Sequence, residues 1–101
     1  MVQKIWLDDI RKAPENWHWV KSFKQAKEYV EQEVHEHDNL VISFDHDLGG
    51  KKTGYDFAAW LVANSYTGEY RVHSANPVGK NNICQLLNRY GWDYYYGWDF
   101  I

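Results

Sequence analysis

The chain has one cysteine, two prolines and one methionine, and its formal net charge is only −3. A lone Cys84 cannot form an internal disulfide, which argues against a cross-linked secreted scaffold. Its neighbours Ile83, Gln85, Leu86 and Leu87 make it a packing residue on a helix. No apolar run approaches the ~20 residues that a membrane-spanning helix requires, and the first residues carry no signal-peptide pattern. The small net charge gives no global attraction to nucleic acid or to an anionic membrane, although a local positive site stays open. The expectation is a cytoplasmic protein without membrane association. Its 101 residues suffice for a single domain, 1–101, around one core. What the sequence has in plenty is aromatic area: six Trp, eight Tyr and four Phe, which can compensate for a short chain.

One stretch organises the rest. Leu40-Val41-Ile42-Ser43-Phe44 is an apolar run that stops at Asp45-His46-Asp47, followed by Leu48 and the pair Gly49-Gly50. Apolar on both side-chain faces, it reads as the central strand of a parallel sheet, with its acids at the carboxyl end where open α/β sheets place ligands. Two other stretches have the same shape: Ile5-Trp6-Leu7 ending at Asp8-Asp9, and Tyr70-Arg71-Val72-His73 ending at Ser74-Ala75-Asn76.

In chain order, a first strand ending at Leu7 is followed by a turn-rich stretch over 10–16 and an aromatic edge strand at Trp17-His18-Trp19-Val20-Lys21. Ser22 and Gln25 have capping-box spacing for a helix over about 22–36, with Phe23, Ala26, Val30 and Val34 on one face. Thr53 caps a second helix over about 54–64. Asn76-Pro77 opens a third over about 77–90, which Gly91 ends. A last short strand is expected within 92–101. The pattern β, β, α, β, α, β, α, β predicts a small doubly wound α/β sheet.

Asp8, Asp9, Asp45 and Asp47 put four carboxylates at two strand ends. Such charges raise one another's pKa unless a cation neutralises them, and hard oxygen ligands suit Mg²⁺ or Mn²⁺. The plain alternative is a capped turn at Asp8 or Asp9 and a solvated Asp47. His46 and His73 beside the same ends can be general acid or base, metal ligands, or packed residues. His18, His35 and His37 read as solvated surface. The passage Ser74-Ala75-Asn76-Pro77-Val78-Gly79-Lys80 suits a phosphate through Ser74, Asn76, Lys80 and the helix N-terminus. An ordinary Asn-Pro cap accounts for Asn76 and Pro77 alone. Arg11 can bind phosphate or pair with Asp8 or Asp9. A Ser-His-Asp hydrolase is disfavoured, because Ser74 lacks nucleophile-elbow glycines. The aromatic tail reads as a lid on the core more readily than as a base-stacking surface.

Together, Leu7-Asp8-Asp9 with Arg11 and Pro14, Ser43-Phe44-Asp45-His46-Asp47-Leu48-Gly49, Thr53-Gly54-Tyr55-Asp56 and His73-Ser74-Ala75-Asn76-Pro77-Val78-Gly79 resemble the cyclic-phosphate processing receiver-like family. The resemblance spans roughly residues 3 to 90. It implies a receiver-like three-layer sandwich with a mostly parallel sheet of order 2-1-3-4-5 and about three helices. In that frame Asp8 and Asp9 match the receiver's acid pair, Asp45 its phosphoacceptor and Ser74 its hydroxyl. A receiver's lysine after the fifth strand has no counterpart, since 92–101 contain none. His46, Asp47, His73 and Asn76 are additions to the receiver set. The implied function is a metal-assisted phosphoesterase acting on a cyclic phosphate of a nucleotide or RNA end. Asp8, Asp9 and Asp45 would hold the metal, His46, His73 and Asp47 would be catalytic, and Arg11, Ser74, Asn76 and Lys80 would bind phosphate. The alternatives are a divergent receiver phosphorylated on Asp45 and a non-enzymatic nucleotide- or partner-binding protein.

Overall fold

A computed structural model describes residues 1–97, so Trp98, Asp99, Phe100 and Ile101 of the expected lid lie outside the described residues. The elements run β1 (Val2–Leu7), β2 (His18–Val20), α1 (Phe23–Glu33), β3 (Asn39–Phe44), α2 (Gly54–Ala63), β4 (Glu69–Val72), α3 (Pro77–Arg89) and β5 (Asp93–Tyr94). The five strands form one sheet of order β2-β1-β3-β4-β5, and every pairing is parallel. This is the receiver-like order. Leu7 lies opposite Phe44, and Phe44 opposite Val72, so the three inner strands end level and their next residues meet at one edge.

Local chemistry sets the helix ends. Thr53 and Asp56 form a full capping box on α2. On α1, Ser22 Oγ accepts from the Gln25 amide, but the Gln25 side chain reaches back to the amide of Lys21 rather than of Ser22. That helix stops at Glu33, short of the expected 36, because the Asp38 carboxylate accepts the His35 N–H and turns the chain. On α3, Asn76 Oδ1 accepts from Gly79 N at 2.9 Å. At its other end Trp92 N donates to Leu87 O and Gly91 N to Asn88 O, with Gly91 at φ +87°. The same pair of bonds closes α2, where Ser65 takes the left-handed position at φ +63°.

All three helices pack on one face of the sheet. Ile5, Leu7, Val20, Leu40, Ile42, Phe44, Tyr70 and Val72 from the strands meet Ala26, Val30, Phe57, Ala58, Leu61, Ile83 and Leu87 from the helices. The layer on the opposite face is not helical. Trp6 and Val41 are covered there by Trp17 from the loop, with Ala13, Trp19 and Tyr95 against them. Trp6 and Trp17 meet edge to face at 6.2 Å, as do Trp17 and Tyr95 at 6.0 Å. Aromatic rings do the covering that a helix would otherwise provide. Among the described residues no helix is long and apolar enough to cross a membrane.

Candidate functional site

At the carboxyl edge of β1, β3 and β4 lies an open cleft of about 400 Å³, lined by Asp8, Asp9, Ile10, Arg11, Asp45, Asp47, Gly49, Ser74 and Ala75. Its floor is built by the backbone. Asp45 N donates to Leu7 O and His73 N to Phe44 O, which extends the sheet ladder one residue beyond the strands. The loop after β1 is clamped by indoles: Trp6 Nε1 donates to Arg11 O at 2.9 Å and Trp19 Nε1 to Asp8 O at 2.7 Å. Opposite, the first turn of α2 presses on the peptide after Asp45, where a Cβ on Gly54 would stand 2.0 Å from the Asp45 carbonyl oxygen. Gly49, at φ +74°, backs onto the carboxylate of Asp9.

The carboxylates differ in environment. Asp8 is buried, which by itself pushes its pKa up, but the amides of Arg11 and Ile10 at 2.7 and 2.8 Å, with His73, outweigh burial and hold it below the ordinary value. Asp45 goes the other way. Burial and the charges of Asp8 and Asp9 raise it, against the opposing hydrogen bond from Ser74. Oxygens of Asp8, Asp9 and Asp45 lie within 4.8 Å of one another. Opposite ligands of Mg²⁺ stand about 4.2 Å apart, so three oxygens at this spacing fit a small hard cation with little adjustment.

His73 does not line the cleft. It sits under the aromatic layer, its ring stacked on Trp6 at 3.7 Å and 5°. Nε2 is 3.0 Å from Asp8 Oδ2, and Nδ1 is 2.7 Å from Ser43 Oγ. Burial pulls its pKa down to about 4, more than the Asp8 carboxylate restores. The ring is therefore neutral at pH 7. An ionised carboxylate only accepts, so Nε2 carries the hydrogen and Nδ1 accepts from the Ser43 hydroxyl. This Ser-His-Asp series is no hydrolase triad, because Ser43 is fully buried in β3. Sequence reasoning missed Ser43 as a site residue; its signal was a hydroxyl inside an otherwise apolar strand run.

His46 packs its ring on the first turn of α3, where a Cβ on Gly79 would stand 2.3 Å from its Cγ. Its Nδ1 is 3.0 Å from Asp47 Oδ1, and Asn76 Nδ2 donates to Asp47 Oδ2 at 3.3 Å. Hydrogen bonds from His46 and Asn76 keep the exposed Asp47 carboxyl low. Ser74 Oγ accepts from Asn76 N. Arg11 Nη1 donates to the His73 carbonyl at 3.2 Å, tying the β1 loop to the end of β4. Lys80 is exposed in the first turn of α3 and is not among the cleft-lining residues. His18, His35 and His37 stand outside the cleft, although His18 stacks on Tyr29 at 3.8 Å.

No curated protein and no solved structure matches the chain. A family model does match, over residues 3–89, and it describes the cyclic-phosphate processing receiver domain. With that match covering the first four strands from Gln3 on, all three helices and every cleft residue, the chain belongs to the cyclic-phosphate processing receiver domain family.

Proposed function

We propose that the protein opens a cyclic phosphate, on a nucleotide or an RNA end, to a monoester with the help of Mg²⁺ or Mn²⁺. The observation that carries this reading is the convergence of Asp8, Asp9 and Asp45 in one cleft beside the Arg11 guanidinium and the Ser74 hydroxyl. Asp8, Asp9 and Asp45 are the residues that would hold the cation. When bound, a divalent cation there supplies charge neutralisation and a more acidic water. Arg11 and Ser74 line the cleft and are the first partners for phosphate oxygens; Asn76 and Lys80, at the start of α3 and outside the lining, are further candidates. His46, whose ring packs on α3 beside the cleft rather than lining it, is the proton donor for the departing alkoxide. Asp47 holds its Nδ1, which leaves Nε2 for the transfer. The proton is assigned to His46 rather than His73, whose two ring nitrogens are already engaged. A receiver phosphorylated on Asp45 fits less well, since residues 92–101 contain no lysine.

The test is a panel of 2′,3′-cyclic and 3′,5′-cyclic nucleotides and cyclic-phosphate-ended RNA, with Mg²⁺, Mn²⁺ or Zn²⁺. Metal-dependent turnover should fall by about 10²–10⁴ in His46→Ala and stay unchanged in His37→Ala, a side chain 81% exposed and outside the cleft. If nothing is turned over, but one compound binds the wild type and not Asp45→Asn, the protein is a binder rather than an enzyme.

A further inference from the structure

Asp8 is the buried carboxylate of the cleft, and both of its oxygens are engaged from within the protein. Oδ1 accepts two backbone amides, Ile10 N and Arg11 N, and Oδ2 faces His73 Nε2. His73 in turn is confined on three sides. Trp6 stacks on its ring, Ser43 Oγ meets Nδ1, and Arg11 Nη1 holds its backbone carbonyl. Ser43 is fully buried and Trp6 is 5% exposed, so neither can touch a substrate. A buried hydroxyl in the central strand costs free energy unless it is satisfied, and here its partner is the ring that grips Asp8.

We propose that Ser43 and His73 are positioning residues: the Ser43 hydroxyl anchors Nδ1 of His73, and the Nε2–H, in the tautomer that the acceptor-only carboxylate requires, fixes Asp8 in the orientation that receives the cation. This deepens the metal-assisted reading above and rests on it. The outer partners of a metal-binding carboxylate commonly set affinity by about 10–100-fold. In the other tautomer, Nδ1–H would face Ser43 and a bare Nε2 lone pair would face the carboxylate, which repels. Asp8 would then swing or take up a proton, and in either case its oxygens would leave the arrangement that the cleft requires. His73 contributes through Asp8, without contact to the reacting phosphate.

The experiment is Mn²⁺ titration calorimetry on the full chain for wild type, Ser43→Ala, His73→Leu and His73→Gln, together with nitrogen NMR of the His73 ring in wild type and Ser43→Ala. Circular dichroism and melting temperature establish that each sample is folded. Gln keeps an N–H near the Nε2 position and cannot carry a proton between groups. We expect wild-type His73 to show the Nε2–H tautomer. Ser43→Ala and His73→Leu should weaken Mn²⁺ binding by about 10–100-fold, and His73→Gln should keep most of the affinity. Gln tests the role even where Ser43→Ala fails to fold. An Nδ1–H tautomer in the wild type, or His73→Leu binding Mn²⁺ as tightly as wild type, overturns the positioning role alone. Wild type that binds no Mn²⁺ overturns the metal reading itself, and this role with it.

Discussion

The amide of Gly54 donates to the His46 carbonyl at 2.8 Å, and the place where a Cβ would stand on Gly54 is 2.0 Å from the Asp45 carbonyl oxygen. The first turn of α2 thus rests directly on Asp45 and His46, the two residues that follow the central strand. Backbone cannot rotate away as a side chain can. Gly54→Ala should destabilise by about 1–3 kcal/mol or more, and it should disturb Asp45 as well. Gly50→Ala, with nothing within 4 Å of the added carbon, should stay within about 0.5 kcal/mol of wild type. Denaturant unfolding of the two variants makes the comparison.

Asp45→Asn removes one charge from a cluster in which burial first, and repulsion from Asp8 and Asp9 with it, raises the pKa of that same residue. In metal-free buffer the variant should be more stable than wild type by about 1 kcal/mol, or roughly 4–8 °C in Tm for a domain of this size. Mn²⁺ should reverse the order. At a hundredfold excess over Kd it should stabilise wild type by about 2.7 kcal/mol and the variant little. A wild-type Tm that does not move with millimolar Mn²⁺ would count against the cation site.

The pH dependence has a definite sign at His73. Its folded pKa, about 4, lies below the ordinary 6.5, so between those values the unfolded chain binds a proton that the folded chain refuses. Stability therefore rises with pH through that window and is lost on acidification, by about 2–3 kcal/mol between pH 7 and pH 4.5. Asp45, with a raised pKa, acts in the opposite direction above its ordinary 3.8. Comparison with His73→Gln cancels that contribution. The variant should lose less stability than wild type over the same interval, as read by urea midpoints at the two pH values.

Ser65 ends α2 in the left-handed region at φ +63°, the position Gly91 fills for α3 at φ +87°. A side chain there costs about 1–2 kcal/mol that glycine does not. Ser65→Gly should raise stability by about 1 kcal/mol and leave the cleft untouched, since Ser65 is not among its lining residues. A drop in Tm would show that the Ser65 side chain has an unseen stabilising role.

Much of this protein is written into short stretches of sequence. Thr53 with Asp56, Asn76 with Pro77, and Gly91 mark helix ends by chemistry that acts within a few residues, so the helices were legible before any tertiary contact. The apolar runs that stop at Asp8-Asp9 and Asp45 likewise announced strand ends bearing acids, and parallel pairing with level registers then brings those ends together. Which way each side chain points was a different matter. Leu40, Val41, Ile42, Ser43 and Phe44 are buried on both faces of the sheet, so the run has no alternation to say which face meets helices. The tertiary structure put all three helices on the Ile42 face and left the other to Trp6, Trp17 and Tyr95. Ser43 and His73 share that second face, on neighbouring strands, and the stack on Trp6 turns His73 toward Asp8 and away from the cleft. Residues 30 and 65 positions apart in the chain meet only once the sheet has closed. Motif spacing determined which groups reach the edge of the sheet; packing on the helix-free face decided which of them remain free for chemistry.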